Sequence, residues 1–420
     1  MTTQEHFDWE IGRQVKADLG AIRSKYDSVH EFTVSPDGET IAAPVKTDEG
    51  FTAAVNDGAW AEAVELLWHL RFTPSGKLIA LVRIDDEWTL SVDGKPWENR
   101  FEYLWHPKFA AGGETIGLLC KKDMEYGVVV DDKPWEQRFA AVRDFCLSPD
   151  GKHAAVTVQV APLGEADVQA FFAGVWSVAV DGQAWDLRFV NTWNPVFSPD
   201  GSRVAAEIRT DICDYSVAVN GEPWPHKFGC VWEPSFLPGN GKVIAPVRTE
   251  GAWTMAENGL PIWKGRFNQL WQQRISPDGD RIAAVAATEH GLWTIVVDDT
   301  PWAKRFKDIV LPPVFSPDGT RVAAIVKDND RWTIAVDGRP WPDAFDMIWD
   351  PVFTPDGQHV VTKAERNGAY YLAVDGRLGG KGYPQLWEPV VSPDGRNLLL
   401  RYEDDGKYCR EVKPLRDVLG

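Results

Sequence analysis

The sequence predicts an all-β protein, a β-propeller of ten SPDG-type four-stranded repeats. Two observations predict it. A Ser-Pro-Asp-Gly turn, or a close variant, returns at intervals of 37 to 50 residues, with its Pro or the residue in its place at Pro36, Pro74, Ala111, Pro149, Pro199, Pro238, Pro277, Pro317, Pro355 and Pro393. Between these turns lie short alternating or β-branched runs bounded by Asp-Gly, Asn-Gly and Pro, as in "PVFSPDGTRVAAIVKDNDRWTIAVDGRPWPDAF" (313–345). Such runs read as strands, and Asp, Asn and Gly tolerate the positive φ of tight hairpins. Repeated sheets of about 40 residues point to a propeller.

Each unit is read in the same order. A first strand enters the SPDG turn and a second, almost wholly apolar, leaves it. A polar tip follows, then a third strand, the hairpin, and a fourth segment ending in Phe. The last unit stops after its third strand. The N-terminal "ADLGAIRSKYDSVHEFTVSPDG" aligns with "VDGKPWENRFEYLWHPKFAAGG", placing Ile22 at a Trp position and Tyr26 at the Phe position, so the N-terminal segment is expected to supply the missing outer strand. That leaves no exposed sheet edge. The expected organisation is an N-terminal extension over 1–16 and propeller repeats over 17–420.

Of the 21 Trp, all but Trp9 fall on regular positions. An aromatic stands five residues before the hairpin Asp/Asn (Phe51, Trp88, Tyr126, Trp176, Tyr215, Trp253, Trp293, Trp332, Tyr370), with Tyr408 in the last unit. A second set follows the hairpin (Trp60, Trp97, Trp135, Trp185, Trp224, Trp263, Trp302, Trp341), and a third precedes the SPDG turn (Trp68, Trp105, Trp193, Trp232, Trp271, Trp349, Trp387). The expectation is that these ladders pack neighbouring blades together.

A longer period lies above the first. "APVKTDEGFTAAVNDG" (43–58) matches "APVRTEGAWTMAENG" (245–259), and His153 matches His359, each offset by five units. One ten-bladed ring with pseudo-twofold (5+5) duplication is expected, with internal halves of about 17–220 and 221–420; two tandem five-bladed propellers are the alternative.

A net charge of −18 and a pI near 4.9 argue against general affinity for nucleic acid or anionic lipid. No apolar run of spanning length occurs and the N-terminus has no signal-peptide core, so a cytoplasmic protein is expected. The five scattered Cys, without a C-x-x-C, fit reduced thiols. No nucleophile elbow, phosphate loop, dinucleotide fingerprint or metal-ligand spacing is present. The chain is therefore expected not to be an enzyme and to hold no cofactor and no metal. The Asp residues of the SPDG turns read as turn chemistry.

Departures from the repeat are the better functional candidates. The insertion "VQVAPLGEADVQAFFAG" (158–174) presents Phe171 and Phe172 near Glu165 and Asp167, a candidate docking element. "RLGGKGYP" (377–384) brings basic Arg377 and Lys381 to an acidic protein. His69 and His106, each after a ladder Trp, read as packing or capping residues.

The SPDG strand pair resembles the WD40-like repeat of TolB-type propellers over nearly the whole chain. The Trp ladders with "VDGxPWxxRF" look like the tryptophan-rich (TmcD-like) subunits of the Tmc transmembrane redox complexes of sulfate-reducing bacteria. That resemblance implies a soluble scaffold subunit on the cytoplasmic side, held at the inner membrane through its partners, an iron–sulfur subunit and a cytochrome b subunit. It implies no redox centre in this chain. The alternative function is a ligand- or ion-binding, even hydrolytic, propeller using channel carboxylates.

Overall fold

The computed structural model describes residues 3–162 and 167–419. The fold is all-β, a ten-bladed β-propeller, with the N-terminal strand joining the C-terminal blade. The blades run in chain order: 28–59, 66–96, 103–134, 142–184, 191–223, 230–261, 269–301, 309–340, 347–378, and 385–414 with 12–18. They are called blades 1 to 10 below. The chain forms two compact units, Met1–Glu102 with Ser316–Gly420, and Tyr103–Phe315. The first contains both ends of the chain, an arrangement that two propellers in tandem along the sequence do not produce.

Each blade is an antiparallel sheet whose second strand is the most buried. Val322–Asp328, Ile41–Thr47 and Leu78–Ile84 are buried on both faces over most of their length. That is why they read as continuous apolar runs rather than alternating ones. In nine blades the hairpin Asp or Asn adopts positive φ (Asp93 50°, Asn220 48°, Asp337 50°). Its side chain accepts the backbone N–H that begins the second strand, as in Leu78 N to Asp93 Oδ1 at 2.8 Å. One residue thus makes the turn and caps the neighbouring strand.

The SPDG turns are closed as their sequence predicts. In blade 4 the Ser148 hydroxyl donates to Asp150 Oδ1 at 2.7 Å, and that oxygen accepts Lys152 N at 3.2 Å. Blades 5, 8 and 10 repeat this with Asp200, Asp318 and Asp394. These hydrogen bonds hold the carboxyls below their usual range, Asp200 at about 2.

The first strands take two forms. In blades 2, 3, 4, 5 and 7 the register shifts at a β-bulge whose residue has positive φ: His69, His106, Asp144, Asn194 and Gln272. His69 and His106 are therefore backbone-turning positions. In the other blades the first strand is divided into two short pieces, as in Cys230–Val231 and Ser235–Phe236.

The last blade is completed by Gly12–Asp18, which pairs antiparallel with Lys407–Pro414. The register differs from the sequence alignment. Ala17, not Tyr26, lies opposite Tyr408, the place that Phe101 holds opposite Trp88 in blade 2. Residues Leu19–Lys25 form a helix instead, with the Asp18 side chain accepting Ala21 N at 2.8 Å as N-cap. Leu19 and Ile22 bury one face of that helix against Ile41, Trp387 and Tyr408. The alignment took a helical turn for an extended segment.

Blade 10 is bound to blade 1 by buried cations. Arg401 donates to the Ser35 carbonyl at 2.9 Å and the Glu388 carbonyl at 2.6 Å. Arg410 donates to the Asp37 carbonyl and pairs with Glu39, each at 2.9 Å. The Tyr408 hydroxyl donates to the Gly38 carbonyl at 2.9 Å. The first SPDG turn is thus the receptor for the last blade.

Candidate functional site

The Trp ladders are occupied by the fold, though not wholly as expected. Each Trp preceding an SPDG turn packs on the third-strand aromatic of its own blade. Trp68 lies 4.5 Å from Trp88, Trp232 is stacked 5.4 Å from Trp253, and Trp387 meets Tyr408 edge-on at 5.6 Å. The reason is geometric: first and third strands stand about 10 Å apart across the second, a gap that two large rings close. The set after the hairpin does join blades. Trp60, Trp185, Trp224 and Trp341 each cover the hairpin Gly of the following blade. A Cβ on Gly94 would sit 2.9 Å from Trp60 Cγ, and one on Gly376 2.9 Å from Trp341 Cγ.

Of the residues singled out in sequence, Phe171 and Phe172 lie on the short helix Val168–Ala173 inserted in blade 4. Asp167 is its N-cap, accepting Ala170 N at 2.9 Å, so its carboxylate serves the helix. The two rings meet edge-on at 5.5 Å. Val168 and Phe172, one turn apart, are 61% and 41% exposed, while Phe171 is half-buried. Glu165 lies outside the described residues. Arg377 is exposed on the short fourth strand of blade 9. Lys381 is engaged within the chain: it pairs with Asp404 at 2.9 Å and lies over Tyr383 and Tyr402. Attraction to a partner carboxylate would have to break that contact. Arg377/Lys381 and the insertion belong to different compact units.

A second cluster was missed in sequence. The second-strand residue opposite the ladder position is apolar in several blades: Leu81, Leu119 and Val285. In blade 5 it is Glu207, opposite Trp193 and only 6% exposed. Asn194 Nδ2 donates to it at 2.9 Å. Burial pushes its carboxyl up to about 8, and nearby Glu233 and Asp144 add to the shift against the pull of Asn194. In blade 4 the equivalent positions are Thr157 and Asp144. Thr157 Oγ1, Asp144 Oδ2 and Arg143 Nε are buried there without hydrogen-bond partners. Arg143 takes the ladder position itself: its guanidinium lies 4.1 Å from the Trp176 ring centre and donates to the Thr192 carbonyl at 2.8 Å.

Blades 9 and 10 place the opposite charge at the same strand position. Lys363 is buried, pairs with Glu388 at 3.0 Å and lies 4.0 Å over Trp349. Burial raises the Glu388 carboxyl, but the Lys363 and Arg401 charges and the hydrogen bonds outweigh it, so the group ends below its usual value. At the acid of blade 5 burial raises the carboxyl in the same way, and among the described residues no such cation offsets it. The signal was present in "RVAAEIR", "VVTKAER" and "NLLLRYED", where a charge interrupts an apolar strand.

Among the described residues no group of three or more His, Cys, Asp or Glu is placed to hold a metal ion, and no helix is long and apolar enough to cross a membrane. Cys120 and Cys409 are buried and Cys213 exposed, all unpaired with one another.

Fold and sites define a β-propeller with Trp ladders, an inserted helix that exposes apolar side chains, and buried ionisable residues. No family model matches the chain, and no curated protein matches it. Among solved structures it is similar to one described as "Crystal structure of the eukaryotic initiation factor", at 12% identity and a TM-score of 0.47 over 79% of this chain and 90% of that one. It is also similar to one described as "Structure of Dos1 propeller", at 10% identity and a TM-score of 0.34 over 95% and 94% of the two chains.

Proposed function

We propose that this chain is a non-catalytic interaction propeller, the docking subunit of a membrane-associated electron-transfer complex. The observation that carries the docking role is the inserted helix, which holds Val168 and Phe172 in solvent one turn apart. Apolar side chains on a loop insertion gain free energy when a partner covers them. The electron-transfer setting is supported by the ladder resemblance alone. In this reading an iron–sulfur or cytochrome b subunit docks at the helix, and the inner membrane is reached through those partners. The non-catalytic reading is supported by the lack of a catalytic motif in the sequence.

The test is a mild-detergent pull-down of the tagged chain from its native cells, with mass spectrometry and an iron and haem assay. Wild type is expected to retain iron–sulfur and cytochrome b subunits, and Val168→Asp with Phe172→Ala to lose them. A clean, iron-free wild-type protein would end the electron-transfer assignment.

A second reading, binding of a cationic ligand by the carboxylates, is favoured by Glu207 with Asp144 and Glu233 beside it. Calorimetric titration with organic amines at pH 9, where Glu207 is ionised, tests it. Heat that survives Glu207→Gln unchanged would rule that carboxylate out.

A further inference from the structure

The ladder lacks its indole in blades 1, 4 and 8, where His30, Arg143 and Leu311 stand. Seven blades set an indole before the SPDG turn, and each packs on the third-strand aromatic of the same blade, stacked, tilted or edge-on, at 4.5 to 6.3 Å. Blade 4 fills the place with the Arg143 guanidinium over Trp176. In blade 1 the residue is His30. Its backbone N–H donates to the Pro44 carbonyl at 2.9 Å, as Trp349 donates to Lys363 and Trp387 to Arg401 in blades 9 and 10. Its ring is tilted 45° at 6.4 Å from Phe51. An imidazole covers less of Phe51 than an indole would.

A cavity of about 390 Å³ lies at this place. On one side are His30, Pro44 and Phe51, the three blade-1 positions that correspond to Trp68, Leu81 and Trp88 in blade 2. On the other are Leu66, Leu67, Trp68 and His69. Trp68 is 45% exposed although it also packs on Trp88. An exposed Trp beside a mostly apolar hollow is unfavourable in water unless something covers it.

The geometry points to a binding site for a small molecule carrying a flat, uncharged fused aromatic ring of indole size, which completes the ladder in blade 1. The volume falls within the range of small-ligand pockets. Phe51 and Trp68 supply aromatic walls, for which offset-stacked or edge-on packing is favoured. The His30 and His69 imidazoles are the polar groups available to a ring nitrogen or oxygen. The site is independent of the inserted helix and of any partner docked there.

Indole itself is the probe, followed by saturation-transfer NMR and calorimetric titration against the full chain. A ring of this size in such a pocket is expected to bind with a Kd on the order of 1 mM or tighter. His30→Trp places the chain's own indole in the gap and is expected to weaken binding by about tenfold or more. Trp68→Ala, at a half-exposed position, removes a wall and is expected to weaken it similarly. Phe172→Ala leaves binding unchanged. Indole that fails to bind at ~10 mM, or binds both pocket variants as it binds wild type, would overturn the proposal.

Discussion

Replacing Glu207 with glutamine is expected to make the protein less sensitive to alkali. The native state holds this carboxyl at about 8, against an ordinary value of 4.5, chiefly because it is buried. Below pH 4.5 both folded and unfolded chains carry the proton, and the group contributes nothing to pH dependence. Between 4.5 and about 8 the unfolded chain releases the proton while the native chain keeps it, so stability falls as pH rises; above about 8 the loss is complete. Each pH unit of that interval is worth about 1.4 kcal/mol, so the full penalty is on the order of 5 kcal/mol. Glutamine keeps the size and the neutral state and still accepts the Asn194 amide. Urea denaturation of wild type and Glu207→Gln at pH 5, 7 and 9, followed by Trp fluorescence, reads the difference directly. The variant is expected to match wild type near pH 5 and to exceed it by about 3–5 kcal/mol at pH 9. A difference that stays flat with pH, or grows toward acid, would refute the reasoning.

Other outcomes follow from the packing. Arg401→Met leaves the Ser35 and Glu388 carbonyls without their buried donor, and is expected to cost about 2–4 kcal/mol in chemical denaturation. Gly376→Ala forces a side chain onto a residue at φ +82° with its Cβ against Trp341; a loss of about 1–3 kcal/mol is expected, and an unchanged denaturation midpoint would contradict the close approach. Deleting residues 12–18 uncovers the edge of Lys407–Pro414, and light scattering after size-exclusion chromatography should show higher oligomers than the full chain forms.

Much of the fold is legible because each blade repeats the same local rules. A Ser-Pro-Asp-Gly turn needs only residues two to five apart, and Asp150 or Asp318 closes it with its own hydroxyl and backbone partners. The hairpin Asp and Gly are equally local. The N-terminal strand was legible as a need, since the last unit lacks a fourth strand, but its register was not. Alignment placed Tyr26 where the structure places Ala17, because a helix from Leu19 to Lys25 consumes residues that the alignment treated as extended. The candidate docking residues were legible as an insertion. That Phe172 faces solvent while Asp167 caps the helix, and that Lys381 is held by Asp404, depended on contacts no spacing records.

By itself, then, the sequence determined the number of blades, the blade period, the turns and the positions of the Trp ladders, all of which rest on interactions within a few tens of residues. Only the tertiary structure decided which ring each Trp meets, how Arg401 and Arg410 bind the last blade to the first turn, and that Glu207 lies buried without a cation. It also decided that His30 leaves a cavity beside Trp68. These are properties of distance and burial between segments up to 402 residues apart, such as Asp8 and Arg410, and burial is what turns an ordinary carboxylate into an unusual one.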